Sequence, residues 1–127
     1  MLKNKKKILL VDDDPLLTKL YQSKLTQEGY EVFFAHNGLD GLALAKEKMP
    51  DLVLLDVMMP KMDGIDTLKE LKKDPSTKKI PVVMLTNLGD NEYHVEGAKL
   101  LGAEEYLMKS NTDLHQLQEV VTRILNS

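Results

Sequence analysis

Five times along its 127 residues the chain alternates a short apolar run with a longer segment of helical period, and this alternation constrains the fold more than any single residue does. Parallel strands need crossovers of helical length, so the pattern predicts a parallel sheet with covering helices. The apolar runs place strands at about 7–11, 31–35, 51–55, 81–85 and 105–108. Right-handed crossovers between five such units are best satisfied by a flavodoxin-like, doubly wound (βα)5 fold of strand order 2-1-3-4-5.

The helices have their own signals. Pro15 suits a first turn, with Leu17, Tyr21 and Leu25 four apart, Leu16 and Leu20 beside them, and Gly29 as the stop. Asn37-Gly38 opens a second helix whose expected apolar side is Leu39, Leu42, Ala43 and Met49, ended by Pro50. A third carries Ile65, Leu68 and Leu71, with Asp63 as its N-cap, and ends before Asp74-Pro75. A weaker fourth is expected over 91–101, capped by Gly102, and a fifth presents Leu114, Leu117, Val121 and Ile124 as a docking face.

A chain of this length forms one domain, residues 1–127, burying about two-thirds of its unfolded surface. It has no cysteine, which excludes disulfides and thiolate metal sites, and no segment resembling a signal peptide or a membrane span. A cytoplasmic setting is expected. The net charge is -3, with basic and acidic residues intermixed, so direct nucleic-acid binding is disfavoured; the basic run near Lys5 to Lys7 reads as a solvated entry to the first strand.

Parallel strands present their carboxyl ends on one side of the sheet, and there the polar residues collect. Asp12, Asp13 and Asp14 follow the first run, Asp56 the third, Thr86 the fourth and Lys109 the fifth. Asp14, next to Pro15, reads as a helix cap. Converging carboxylates repel one another unless a cation compensates them. Mg²⁺ fits, preferring hard oxygen ligands and held usually by one or two carboxylates plus phosphate oxygens. Lys109 and Thr86 make a half suited to a phosphoryl group, and Asp56 lies between the halves as a nucleophile able to form an aspartyl phosphate.

From ILLVDDDP through LLDVMMPKMDG, PVVMLT and EEYLMKS, the chain resembles the receiver domain of bacterial two-component response regulators over essentially its whole length. The resemblance implies a chemotaxis-regulator-like switch that takes a phosphoryl group from a sensor histidine kinase or a histidine phosphotransfer protein and acts on a downstream target or output domain. It makes Asp56 the phosphoacceptor and Asp12 and Asp13 the acid pair, with Asp12, Asp13, Asp56 and the Met58 backbone carbonyl forming the Mg²⁺ site and Asp13 a direct ligand. Thr86 and Lys109 become the residues that grip the phosphoryl group, and Tyr106 the switch aromatic. Such a protein catalyses its own phosphorylation and dephosphorylation without being a conventional enzyme.

Three features depart from the commonest pattern. Ser110 stands where the family usually has proline, which puts the geometry around Lys109 in question, and Asn87 replaces a small residue. Met58 and Leu88 are apolar where the family tunes access of water, implying slow self-dephosphorylation. His36, His94 and His115 show no ligand spacing.

The competing readings are a phosphorylation-independent interaction module on the same scaffold, a Mg²⁺-dependent small-molecule phosphatase, and a flavin binder. The short connections leave no lid for the phosphatase, and the acids after the first strand would repel a flavin phosphate. A free-standing regulator is the expected organisation.

Overall fold

In a computed structural model of the chain, residues 5–86, 97–99 and 101–126 are described. The elements run β1 (Lys7–Val11), α1 (Pro15–Gln27), β2 (Glu31–Ala35), α2 (Gly38–Lys48), β3 (Leu52–Asp56), α3 (Gly64–Lys73), β4 (Val82–Thr86), helical residues 97–99 (α4), β5 (Glu105–Met108), a 3-10 turn at Lys109–Asn111 and α5 (Leu114–Leu125). All four strand pairings are parallel, in the order β2-β1-β3-β4-β5. The flavodoxin-like arrangement expected from the alternation is the one formed.

Alternate side chains of the central strands feed two cores. Leu9, Val11, Val53, Leu55, Val82 and Met84 pack with Leu68 and Leu71 of α3 on one face. Ile8, Leu10, Leu52, Leu54, Val83 and Leu85 pack with Tyr21 and Leu25 of α1 and Leu117 and Val121 of α5 on the other. Burial on both faces is why these strands read as continuous apolar runs. On the outer side, an Arg123–Glu105 ion pair ties α5 to β5.

The caps agree with their residue types. Asp14 accepts from the amides of Leu16 (3.0 Å) and Leu17 (3.2 Å), and Asp63 from Asp66 (2.8 Å). Gly29 and Gly102 take the left-handed φ values of +97° and +99° that favour glycine after a helix. The expected fourth helix lies mostly outside the described residues, but Gly102 follows its described part, with the Ala103 amide bonding back to the Ala98 carbonyl at 2.9 Å.

Two expected faces differ. On α1, Leu16 and Leu20 point to solvent, Leu16 with 76% of its surface exposed, because the sheet-facing stripe is Thr18, Tyr21 and Leu25. On α2, Leu39, Ala43 and Met49 are exposed and the buried residues are Gly38, Gly41 and Ala45. The cause is proximity: a Cβ on Gly41 would lie 2.8 Å from Val11 Cγ2, and one on Gly38 would lie 2.4 Å from the Met62 carbonyl oxygen. Backbone this near its neighbour takes small residues, and Leu42 and Leu44 only flank the contact.

Candidate functional site

Register brings the polar residues together. Asp56 pairs with Leu85 and Thr86 with Met108, so the ends of β3, β4 and β5 are level, and Val11 opposite Leu55 sets Asp12 beside them. Asp56 and Thr86 are the last residues of their strands, whereas the apolar runs placed them just outside; the ladder continues one residue further than the hydrophobicity. Asp12 and Lys109 directly follow their strands, as expected.

The carboxylates of Asp12, Asp13 and Asp56 each offer an oxygen within 4.8 Å of the others. Asp12 and Asp56 are buried and Asp13 is exposed, so the cluster opens to solvent on one side. Lys109 reaches into it with a side chain only 7% exposed, its Nζ 2.5 Å from Asp12 Oδ2 and 3.4 Å from Asp56 Oδ2. The shorter contact is a charge pairing without hydrogen-bond alignment, since Asp12 Oδ2 has no well-aligned donor. Asp12 Oδ1 accepts from the Asp14 amide at 2.9 Å, which shapes the turn into α1.

Three carboxylates against one ammonium leave an excess of negative charge. Burial, with the Asp12 charge next, pushes the Asp56 carboxyl from 3.8 up to about 6; Lys109 opposes the shift and Asp13 adds to it. Burial first, then the Asp12 and Asp56 charges, raise the Tyr21 phenol on the α1 side of the sheet. An oxygen-only donor set that is partly open, buried and net negative fits a hard divalent cation.

Thr86 is fully buried, and the Tyr106 hydroxyl is buried beside it without a well-aligned hydrogen bond. Met58 lies in the loop after β3 and is 59% exposed. In that loop the Met62 amide donates to the Pro60 carbonyl at 2.8 Å around Lys61, a non-glycine residue at φ +69°. The Lys109–Ser110 peptide is trans, as are the others among the described residues, and Lys109 starts the 3-10 turn. Asn87 and Leu88 lie outside the described residues.

Sequence reasoning missed two supports. One is Gly64: a Cβ there would lie 2.0 Å from the Asp56 carbonyl oxygen, so the loop closes only on glycine. His36, passed over for want of ligand spacing, holds the Asp12 backbone, its Nδ1 being 3.0 Å from the Asp12 carbonyl oxygen. A polar residue just after the strand beside β1 was the available signal.

Comparison with known proteins bears on this geometry. The chain is 50% identical over 118 residues to the transcriptional regulatory protein CpxR of Klebsiella pneumoniae, a match covering 93% of this chain and 47% of that protein. It therefore spans less than half the length of this relative. The structure of the chemotaxis response regulator CheY4 of Vibrio cholerae superposes with a TM-score of 0.88 at 30% identity, over 96% of this chain and 100% of that one. The receiver domain of a sensor histidine kinase from Pseudomonas aeruginosa, solved with a magnesium ion coordinated in its active site cleft, gives a TM-score of 0.87 at 25% identity, over 98% of this chain and 100% of that one. The family described as response regulator receiver domain matches residues 8–122, the stretch that builds the sheet and joins its strand ends, and the chain belongs to that family.

Proposed function

We propose that this receiver domain, residues 1–127, is a phosphorylation-dependent switch whose acceptor is Asp56. The observation that carries the reading is the convergence of Asp56 with Asp12, Asp13 and Lys109 at the carboxyl ends of the strands, with the Lys109 ammonium in contact with both Asp12 and Asp56. Asp12, Asp13, Asp56 and the Met58 carbonyl would hold Mg²⁺, a choice supported by the oxygen-only donors and by the magnesium ion in the Pseudomonas relative. The ion supplies charge neutralisation for the phosphoryl oxygens.

The donor is a phosphohistidine of a sensor histidine kinase or a histidine phosphotransfer protein. An Asp56 carboxylate oxygen attacks phosphorus, the bond from phosphorus to the imidazole nitrogen breaks, and the imidazole leaves with that electron pair. A carboxyl of pKa about 6 is mostly ionised at neutral pH, as a nucleophile must be. Lys109, released from Asp12, pairs with one phosphoryl oxygen and the Thr86 hydroxyl donates to another.

The new charge of about -2 draws Thr86 and Lys109 inward, alters the surroundings of Tyr106, and biases the α4-β5-α5 face toward a partner-binding state. Converting a mostly inactive population needs a bias of roughly 5 kcal/mol, within reach of a buried ion pair and a charged hydrogen bond. The partner is a downstream protein or an output domain. With net charge -3 and no basic stripe, the domain itself does not contact nucleic acid. No helix among the described residues is long and apolar enough to cross a membrane, and we place the domain in the cytoplasm.

The test is intact-mass spectrometry after incubation with acetyl phosphate, with and without Mg²⁺, on the parent and on Asp56→Asn. A single Mg²⁺-dependent, base-labile phosphoryl adduct missing from the variant is expected. A folded parent that takes up no phosphoryl group would make the domain a phosphorylation-independent interaction module.

A further inference from the structure

The acid cluster depends on backbone geometry as much as on its side chains. Asp12 and Asp13 are joined by one peptide unit, and the orientation of that unit sets where the Asp13 carboxylate reaches. Its carbonyl oxygen, that of Asp12, meets two side-chain donors. Thr18 Oγ1 is at 3.5 Å and makes its shorter bond, 2.8 Å, to the Asp14 carbonyl instead. His36 Nδ1 is at 3.0 Å, the firmer contact.

The chemistry of this contact is determined by the acceptor. A carbonyl oxygen only accepts, so His36 must carry hydrogen on Nδ1. The ring is exposed at the sheet edge and steadied by Phe34, with centroids 5.4 Å apart and planes tilted by 53°. The Asp12 amide bonds to the Ala35 carbonyl at 3.0 Å, so the peptide units on either side of Asp12 are both held from the end of β2. The edge strand thus braces the loop that carries two of the three carboxylates.

We propose that His36 is a positioning residue for the divalent-cation site: its Nδ1–H fixes the Asp12 carbonyl and, through that peptide, the placement of the Asp13 carboxylate. The inference rests on the metal reading of the Asp12, Asp13 and Asp56 cluster. Hydrogen-bond partners one step behind metal ligands are commonly worth 10 to 100-fold in affinity, and the weak Thr18 contact that remains argues for a loss near the lower end, about tenfold.

The test is Mg²⁺ titration by calorimetry on the whole chain, comparing the parent with His36→Ala and His36→Asn, each checked for an unchanged thermal transition. His36→Ala should bind Mg²⁺ about tenfold more weakly, and His36→Asn should recover the parent affinity, because its amide N–H can replace the Nδ1–H. Nitrogen-15 spectra of the parent, assigned by the signal missing from His36→Ala, should show the neutral ring as the Nδ1–H tautomer. Parent-like affinity in His36→Ala, failure of His36→Asn to recover it, or an Nε2–H tautomer would each overturn the inference. A flat titration of the parent would overturn the metal reading itself, and is recognised before any variant is compared.

Discussion

Lys109 Nζ is nearer to Asp12 Oδ2, at 2.5 Å, than to Asp56 Oδ2, at 3.4 Å. The ammonium therefore sits on the cation's side of the cluster and competes with a divalent ion for Asp12. Removing one partner from a buried ion pair exposes the other to uncompensated charge, at a cost of about 3 kcal/mol or more. Lys109→Met is accordingly expected to be destabilised by that amount in EDTA and to regain most of it in Mg²⁺, which binds the folded variant more tightly than the parent. Urea unfolding in the two buffers decides it. Equal Mg²⁺ stabilisation of parent and variant would show that Lys109 and the ion do not compete.

Asp56 ties stability to pH. Its carboxyl is pushed from 3.8 up to about 6, so the folded chain holds the neutral form better than the unfolded chain does. The stability this group contributes is present in full below pH 3.8, declines as pH rises toward 6, and is gone above it. The difference corresponds to about 3 kcal/mol. In metal-free buffer, Asp56→Asn should match the parent near pH 4 and exceed it by about 3 kcal/mol at pH 7. Denaturant midpoints at the two pH values measure this; a constant gap across the range would mean that the carboxyl titrates normally.

Gly64 sets how closely the loop can return to β3. A Cβ at this position would lie 2.0 Å from the Asp56 carbonyl oxygen and 2.8 Å from Val57 Cα, both backbone atoms with little room to move. Gly64→Ala should cost about 3 kcal/mol or more and displace the end of β3, weakening Mg²⁺ binding as well. Thermal unfolding and an Mg²⁺ titration check both effects. A variant as stable as the parent would show that the loop can open without penalty.

The legible parts of this fold were those where hydrophobicity and backbone agree. Leu52 to Leu55 and Val82 to Leu85 are buried on both faces, so their runs announced the central strands. The cap residues Asp14 and Asp63 were legible because their side chains act on amides two or three residues away. What stayed hidden depends on distance between segments. Asp56 and Thr86 belong to their strands because ladder pairing is indifferent to side-chain polarity. Gly38 and Gly41 form the buried face of α2 because Met62 and Val11 approach it, which no helical period reveals. Asp12, Asp13 and Asp56 could be grouped from strand ends alone, whereas the His36 brace needed the spacing of β2 beside β1.

Tyr106 offers a test of how its hydroxyl is held. The oxygen is buried beside Thr86 without a well-aligned partner, and burial raises the phenol pKa, with the neighbouring Thr86 hydroxyl opposing. A buried hydroxyl that has lost water and gained no good bond costs stability, about 1 kcal/mol at the low end of the usual range. Tyr106→Phe keeps the ring, which packs against the core beside α3, and removes only that oxygen. The variant should be at least as stable as the parent and up to about 1 kcal/mol more so, measured by urea unfolding in EDTA. If phosphorylation draws Thr86 inward and gives the hydroxyl a partner, the advantage should shrink when both proteins are measured in Mg²⁺ with acetyl phosphate. A loss of stability in EDTA would mean that the hydroxyl already has a full hydrogen bond before phosphorylation, leaving Tyr106 without a contact to gain.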